Sequence, residues 1–277
     1  MESAMQDPNA AFQDANSLTA QINGNIVSLG AIAGIILGML VFMIIRGKSL
    51  FTDVLKKPEN GEVHPMLVFG VILGTQAVQL ITSIVGSIAE TIARNNGFSL
   101  TDSYSSAFES MLNPVGILYI ALIGPICEEM IFRGACLNTL RKYGDNFAVV
   151  MSACLFGLYH IIIFQIPFAL VVGIILGYAA IKFSLKHAII IHAISNTLAL
   201  FYVFLEQTDF SPLMFMGIST VVAGVILFSE RARIPVMLKA GRSAWPGVFA
   251  AGFTSIAFLL YAVGAIGMGI GLIMMMT

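Results

Sequence analysis

A chain of 277 residues, 58% of them hydrophobic and only 10% charged, with a mean hydropathy of +0.91, is a polytopic membrane protein; soluble domains carry about 25% charged residues. The net charge of −1 is uninformative until the loops are sorted, and with no basic patch interleaved with aromatics nothing in the chain suggests nucleic-acid binding. Cys127, Cys136 and Cys154 are odd in number and lack C-x-x-C spacing, which excludes a disulfide framework or zinc ribbon and leaves three small apolar side chains.

In chain order, residues 1–24 read as a short polar extracytoplasmic tail. They contain Glu2, Asp7 and Asp14 but no Lys or Arg, so they lack the basic region of a cleavable signal peptide. Residues 25–277 read as one membrane-embedded domain with no internal repeat or low-complexity segment, its catalytic core falling at about 104–205. A crossing helix needs about 20 mostly apolar residues. On that criterion eight spans are expected, at 26–45, 66–89, 115–140, 147–163, 168–183, 187–205, 213–228 and 246–276. Pro125 in the third is expected to free a carbonyl and kink the helix. Gln165 and Pro167 divide the fourth from the fifth. The last stretch is longer than a crossing needs, and its Gly264, Gly267, Gly269 and Gly271 suit close helix–helix contact.

The basic residues orient this all-α bundle. With both termini extracytoplasmic, cytoplasmic loops receive Arg46, Lys48, Lys56, Lys57, Arg141, Lys142, Lys182, Lys186, Arg231, Arg233, Lys239 and Arg242. Of the 14 Lys and Arg, that leaves only Arg94 outside and Arg133 within the membrane. The positive-inside rule fits that arrangement.

Three polar clusters interrupt the apolar stretches. The first is Glu128, Glu129 and Arg133. Left unpaired, three charges at mid-bilayer would cost on the order of 8 to 10 kcal/mol at roughly 2.5 to 3.5 each. Residues four apart share a helix face, so Glu129 and Arg133 can pair, while Glu128 is rotated by about 100° and can act elsewhere. The second cluster is Phe156-Gly157-Leu158-Tyr159-His160, in which Gly157 permits close approach of a backbone or substrate. Glu128 and His160 each lie about 13 residues, roughly 20 Å, from the cytoplasmic end of their helix. The third is His192-Ala193-Ile194-Ser195-Asn196, with His192 and Asn196 one turn apart and somewhat shallower. His187 reads as an interfacial residue and His64 as a loop residue without a role.

Taken singly, each cluster could be a structural ion pair or interhelical glue. Together they supply the groups needed to hydrolyse an amide. A carboxylate shielded from bulk water can serve as general base; with His160, Glu128 could deprotonate a water. His192 and Asn196 could donate to the tetrahedral oxyanion, a contribution whose loss typically costs about 100- to 1000-fold in rate.

E-E-x-x-x-R, F-x-x-x-H and H-x-x-x-N, in this order on consecutive membrane helices, resemble the CPBP family, which comprises the type II CAAX prenyl proteases and the bacteriocin-processing or immunity (Abi) proteins. The resemblance is carried by about 115–205, a third of the chain. It implies an eight-helix, glutamate-dependent intramembrane endopeptidase. In it Glu128 and His160 would activate water, Glu129 would support the site with Arg133, and His192 with Asn196 would form the oxyanion hole. The implied substrate is a membrane-bound or lipidated peptide or protein in the bilayer. Apart from the resemblance, the short acidic N-terminal tail favours a bacterial plasma membrane, and the depth of the clusters favours cytoplasmic access to the site. No cofactor is expected. Glu128, His160 and His192 would be the ligands if zinc were used, although the H-E-x-x-H helix signature is absent.

Two other classes stand beside this reading. A non-catalytic peptide-binding or bacteriocin-immunity protein could use the same cavity. A proton-coupled transporter could use Glu128, Glu129, His160 and His192 as a relay, but such proteins usually show internal repeats and paired broken helices. Rhomboid-like serine chemistry lacks its G-x-S-x-G context around Ser219. Presenilin-like chemistry lacks an aspartate pair, every Asp being expected in a loop or tail.

Overall fold

The computed structural model describes residues 8–58, 61–234 and 245–276. Glu2, Asp7, Lys239 and Arg242 lie outside these. All regular structure among the described residues is helical: α1 Pro8–Arg46, α2 Ser49–Val54, α3 Pro65–Asn95, α4 Asp102–Ser110, α5 Pro114–Tyr143, α6 Asp145–Tyr159, α7 Ile166–Lys182, α8 Leu185–Leu205, α9 Pro212–Ser229, α10 Val248–Phe253 and α11 Ile256–Met276. The molecule is a polytopic helical membrane bundle.

Its packing is inverted relative to a soluble protein because lipid is its outer solvent. Ile44, Val263 and Ile256 are 85%, 70% and 76% exposed, while Arg133 heads the fully buried side chains. Two apolar clusters frame the interior. Leu67 and Ile72 of α3 meet Val172 and Leu176 of α7 and Ile191 of α8. Ile35 of α1 meets Ile131 and Phe132 of α5, Phe156 of α6 and Ala169 of α7. Alongside these, α3 packs along α9 and α6 along α7.

Among the described residues six helices have the length and apolarity to cross a bilayer: the 23–46 part of α1, then α3, α5, α8, α9 and α11. The fourth and fifth expected spans are apolar helices of 15 and 17 residues. At 1.5 Å per residue these are about 23 and 26 Å long, against a hydrocarbon core of about 30 Å. Backbone geometry shortens α6: it starts after Gly144 (φ 121°) and stops before Ile161, a non-glycine residue at φ 62°. The span expected at 147–163 therefore ends at Tyr159, and His160 caps the helix instead of lying within it.

Other expectations change too. The supposed tail is helical from Pro8 and continuous with the first span. The long last stretch divides at Thr254 and Ser255 into α10 and α11. Of the four glycines in α11 only Gly269 makes a close approach, where an added Cβ would overlap the Ile161 carbonyl; around Gly264, Gly267 and Gly271 there is open space. Two aspartates are buried in short connections and helix starts, not in open loops. Asp53 in α2 accepts from Arg46 (2.8 Å) and Asn138 (3.0 Å) and pairs with Lys56; Asp145 opens α6 and pairs with Arg141 at 2.9 Å.

Candidate active site

The scaffold is α5, and its sequence explains its shape. Asn113 caps the start, its Oδ1 accepting from Val115 N (3.1 Å) and Gly116 N (3.0 Å), with Pro114 at the first helical position. Pro125 has no N–H to donate. The helix answers this without breaking: over Tyr119–Ile123 its hydrogen bonding widens to a π-turn, returns to α over Gly124–Glu129, and widens again over Met130–Leu137. Such wide turns recur at functional sites. In an i→i+5 pattern the donor missing at Pro125 belongs to Ile120, and the Ile120 carbonyl instead accepts from Asn196 Nδ2 at 3.1 Å. One of the two Asn196 amide protons is thereby committed to α5, a link that the sequence reading did not anticipate.

Glu128 and Glu129 sit between the two wide turns. The expected pair forms: Arg133 Nη1 donates to Glu129 Oε1 at 2.7 Å, with both side chains wholly buried. Arg133 is further fixed by Nη2, which donates to the Gly173 carbonyl at 3.0 Å, and by the Phe156 ring, 4.4 Å from Cζ. Gly173 permits this approach; a Cβ there would stand 3.1 Å from Ala153 and 3.2 Å from Phe156. Ser152 Oγ donates to the Phe132 carbonyl at 2.8 Å and ties α6 to the second wide turn.

His192 occupies the gap between the glutamates. Its Nδ1 lies 2.9 Å from Glu129 Oε1 and its Nε2 lies 3.7 Å from Glu128 Oε2. The sequence paired Glu128 with His160 and His192 with Asn196; the structure adds a closer relation, with His192 bridging both carboxylates. Since Glu129 accepts from Arg133 as a carboxylate, the Nδ1 of His192 is the donor toward it.

His160 is held differently. Its Nδ1 is 2.9 Å from the Phe156 carbonyl, which can only accept, so Nδ1 carries the proton; in its neutral form the ring then keeps its lone pair on Nε2. Phe156 is the hub of the site, its ring standing edge-on to His160 (4.8 Å) and to His192 (5.7 Å) as well as beneath Arg133. Immediately after His160 the chain makes a γ-turn: Ile162 N donates to the His160 carbonyl at 2.6 Å around Ile161 at positive φ. For a β-branched residue this conformation is strained. Neighbouring contacts hold it. Gly269 of α11 lies against the Ile161 carbonyl, Phe164 packs onto Gly86 of α3, and Gly157 admits the backbone of Ile166 and Leu170, a Cβ there standing 3.2 to 3.3 Å from them. The close approach expected at Gly157 is thus made by neighbouring backbone.

Glu128, His160, His192 and Asn196 line one cavity of about 420 Å³, while Glu129 and Arg133 are sealed behind it. Its other wall was missed by the sequence reading. Thr75, Gln76, Gln79 and Thr82 of α3 face it, with Ser195 and Tyr202 of α8. Thr75 Oγ1 lies 2.9 Å from Ser195 Oγ and accepts from Gln76 Nε2 at 3.0 Å, and Gln76 Oε1 accepts from Tyr202 OH. The signal was available, since the polar residues at 75, 79 and 82 recur at i, i+4 and i+7 and so share one face of α3.

The three Cys are free, with Cys127 buried and Cys136 and Cys154 half-buried. His187 Nδ1 pairs with Ser184 Oγ at 2.8 Å at the start of α8, and His64 Nδ1 lies 3.3 Å from Glu230 Oε1. Among the described residues no three His, Cys, Asp or Glu side chains converge as a metal-ligand set. No step below is routed through a metal.

A family model described as Type II CAAX prenyl endopeptidase Rce1-like matches residues 110–198, about a third of the chain. Comparison with curated proteins and with solved structures gave no match. The matched segment runs from the end of α4 to Leu198 in α8 and contains the two glutamates, Arg133, both cavity-lining histidines and Asn196. Over that segment the chain is similar to the Rce1-like type II CAAX prenyl endopeptidases, a family of peptide hydrolases.

Proposed function

We propose that this chain is an intramembrane endopeptidase that hydrolyses a peptide bond in a lipidated or otherwise membrane-associated peptide or protein. The observation that carries this reading is His192, held between Glu129 and Glu128 on the wall of the cavity that His160 also lines.

The two histidines divide the labour by what holds their Nδ1. His160 donates Nδ1–H to a carbonyl, so its Nε2 is an acceptor and, with Glu128, can position a water. Glu128 takes one proton from that water as its oxygen adds to the scissile carbonyl carbon. The carbonyl π electrons move to oxygen, giving the tetrahedral oxyanion. His192 in its doubly protonated form donates from Nδ1 to Glu129 and from Nε2 to the oxyanion, with the remaining amide proton of Asn196. Glu128 then returns the proton to the leaving nitrogen, the C–N bond breaks, and the new carboxylic acid passes its proton to the free amine, so that carboxylate and ammonium products separate. Glu129 and Arg133 are positioning residues, since they act through His192.

We place the entry to the site on the cytoplasmic face, which the basic-residue distribution favours; a lateral path for a lipid-anchored substrate and a bacterial plasma membrane are part of the same proposal. The test is cleavage in a membrane proteome by the wild type, Glu128→Ala and His160→Ala, with and without a chelator. New peptide termini seen only with wild type, and unchanged by chelation, are the expected result. Identical termini from all three proteins at equal expression would overturn the hydrolase and move the weight to a peptide-binding or immunity role.

A further inference from the structure

The wall opposite the glutamates is uncharged yet rich in hydrogen-bonding groups. Glu128 is the only carboxylate among the described cavity-lining residues, which include no lysine or arginine. Most of the polar groups there are already spent. Gln76 uses its amide nitrogen on Thr75 and its oxygen on Tyr202, Thr75 and Ser195 face each other, and Thr82 Oγ1 donates to the Val78 carbonyl at 2.8 Å. Gln79 on α3 and Gln165 on the loop after His160 differ: both line the cavity, and neither amide has a partner among the described residues. An amide offers two donors and a two-lone-pair acceptor, the same inventory a main-chain peptide unit needs. At membrane depth such groups are kept only where something in a cavity uses them.

The geometry has a length as well as a chemistry. Thr75, Gln79 and Thr82 rise about 10 Å along one face of α3, about three residues of extended chain. One end is level with the oxyanion side, because Thr75 touches Ser195, the neighbour of Asn196. The other end closes one turn beyond Thr82, where Phe164 packs onto Gly86 next to Gln165.

Resting on the hydrolase reading, we propose that Gln79 and Gln165 form a main-chain recognition subsite, which takes the N–H and C=O groups of an extended, uncharged peptide segment lying between α3 and the Glu128–His192 wall. Side-chain identity is then read weakly along this stretch and backbone integrity strongly.

The test is binding, which does not depend on turnover. The full chain carrying Glu128→Gln is placed in phospholipid nanodiscs and titrated with a fluorescent S-farnesyl-cysteinyl peptide and with analogues N-methylated at one backbone nitrogen each. At least one analogue is expected to bind about 5- to 10-fold more weakly, in line with the loss of one hydrogen bond. Adding Gln79→Leu should weaken the parent peptide by a similar factor and shrink that analogue's penalty to less than about twofold. Gln165→Leu on the loop after His160 gives the same comparison if Gln79→Leu folds poorly. Parent affinity and methylation penalties unchanged in both variants would overturn the subsite. The two readings separate when the same variants carry wild-type Glu128. Cleavage indifferent to Gln79→Leu in KM and in methylation penalty strikes only the subsite. Gln79-dependent binding by a chain that cleaves none of the peptides strikes only the hydrolase.

Discussion

α5 and α11 are both apolar helices of bilayer-crossing length, yet they do opposite things. In the most apolar window of α5 half the residues are buried inside the protein, against 11% for α11 and for α1. α5 carries Glu128, Glu129 and Arg133 and touches α1, α2, α6, α7 and α8; α11 is nearly all Ile, Leu, Met, Gly and Ala, and turns Leu260, Val263 and Met274 outward. In this membrane protein the less apolar helix is the interior one. Greater apolarity marks exposure to lipid, and polarity marks the place where other helices supply partners.

The contrast can be broken most directly at Glu128. Glu128→Gln should lower turnover by about 10²- to 10⁴-fold, the range for a lost general acid–base; a purified variant within tenfold of wild type would remove α5 from the chemistry. Arg133→Met comes next. It leaves Glu129 buried without its arginine, which should cost about 3 to 5 kcal/mol, read as a lowered midpoint of thermal unfolding in detergent. The double change Glu129→Leu, Arg133→Met should recover much of that stability without recovering activity. If it recovers neither, the pair does more than neutralise charge.

The comparison sharpens within α11 itself. Gly269→Ala forces a methyl against the Ile161 carbonyl and should cost about 1 to 3 kcal/mol and reduce turnover through His160. Gly267→Ala meets open space and should be neutral or stabilising by up to about 1 kcal/mol. Equal behaviour of the two alanines in both assays would show that α11 is lipid-facing throughout. The smallest effect is expected at Ser152→Ala, which deletes the bond to the Phe132 carbonyl; it should lower stability by about 0.5 to 1.5 kcal/mol and leave KM unchanged.

Much of the site was legible because charge in an apolar helix has few explanations. The i,i+4 spacing of Glu129 and Arg133 gave their pairing, and composition gave the helical membrane bundle. What stayed hidden depends on backbone bonding that the letters do not encode. Pro125 announced an orphan carbonyl, but only the π-turn decides that it is that of Ile120 and that Asn196 fills it. The short α6 was overrun because Ile161 is a poor choice for positive φ, and tertiary contacts at Gly269 and Gly86 overrule its preference. Four glycines in α11 looked alike in sequence; a single neighbouring loop makes one of them different. The α3 wall was missed for a simpler reason: uncharged Thr and Gln stand out less than glutamate against apolar neighbours, although their spacing was as regular.

The shared oxygen of Glu129 also sets an order of events during synthesis. Arg133 is made four residues after Glu129, so that pair can form within α5 as it leaves the ribosome. The other partners come later: Gly173 is 40 residues beyond Arg133, and His192 is 63 beyond Glu129. At about 5 to 20 residues per second, α5 waits roughly 3 to 13 s for His192. Through that interval it holds one more carboxylate than it can neutralise, at about 2.5 to 3.5 kcal/mol if that charge faces lipid. A nascent chain cut off before α8 is therefore left with an unfinished α5, and an error near His192 would be felt first as poor retention of a helix whose Glu129 was made 63 residues earlier.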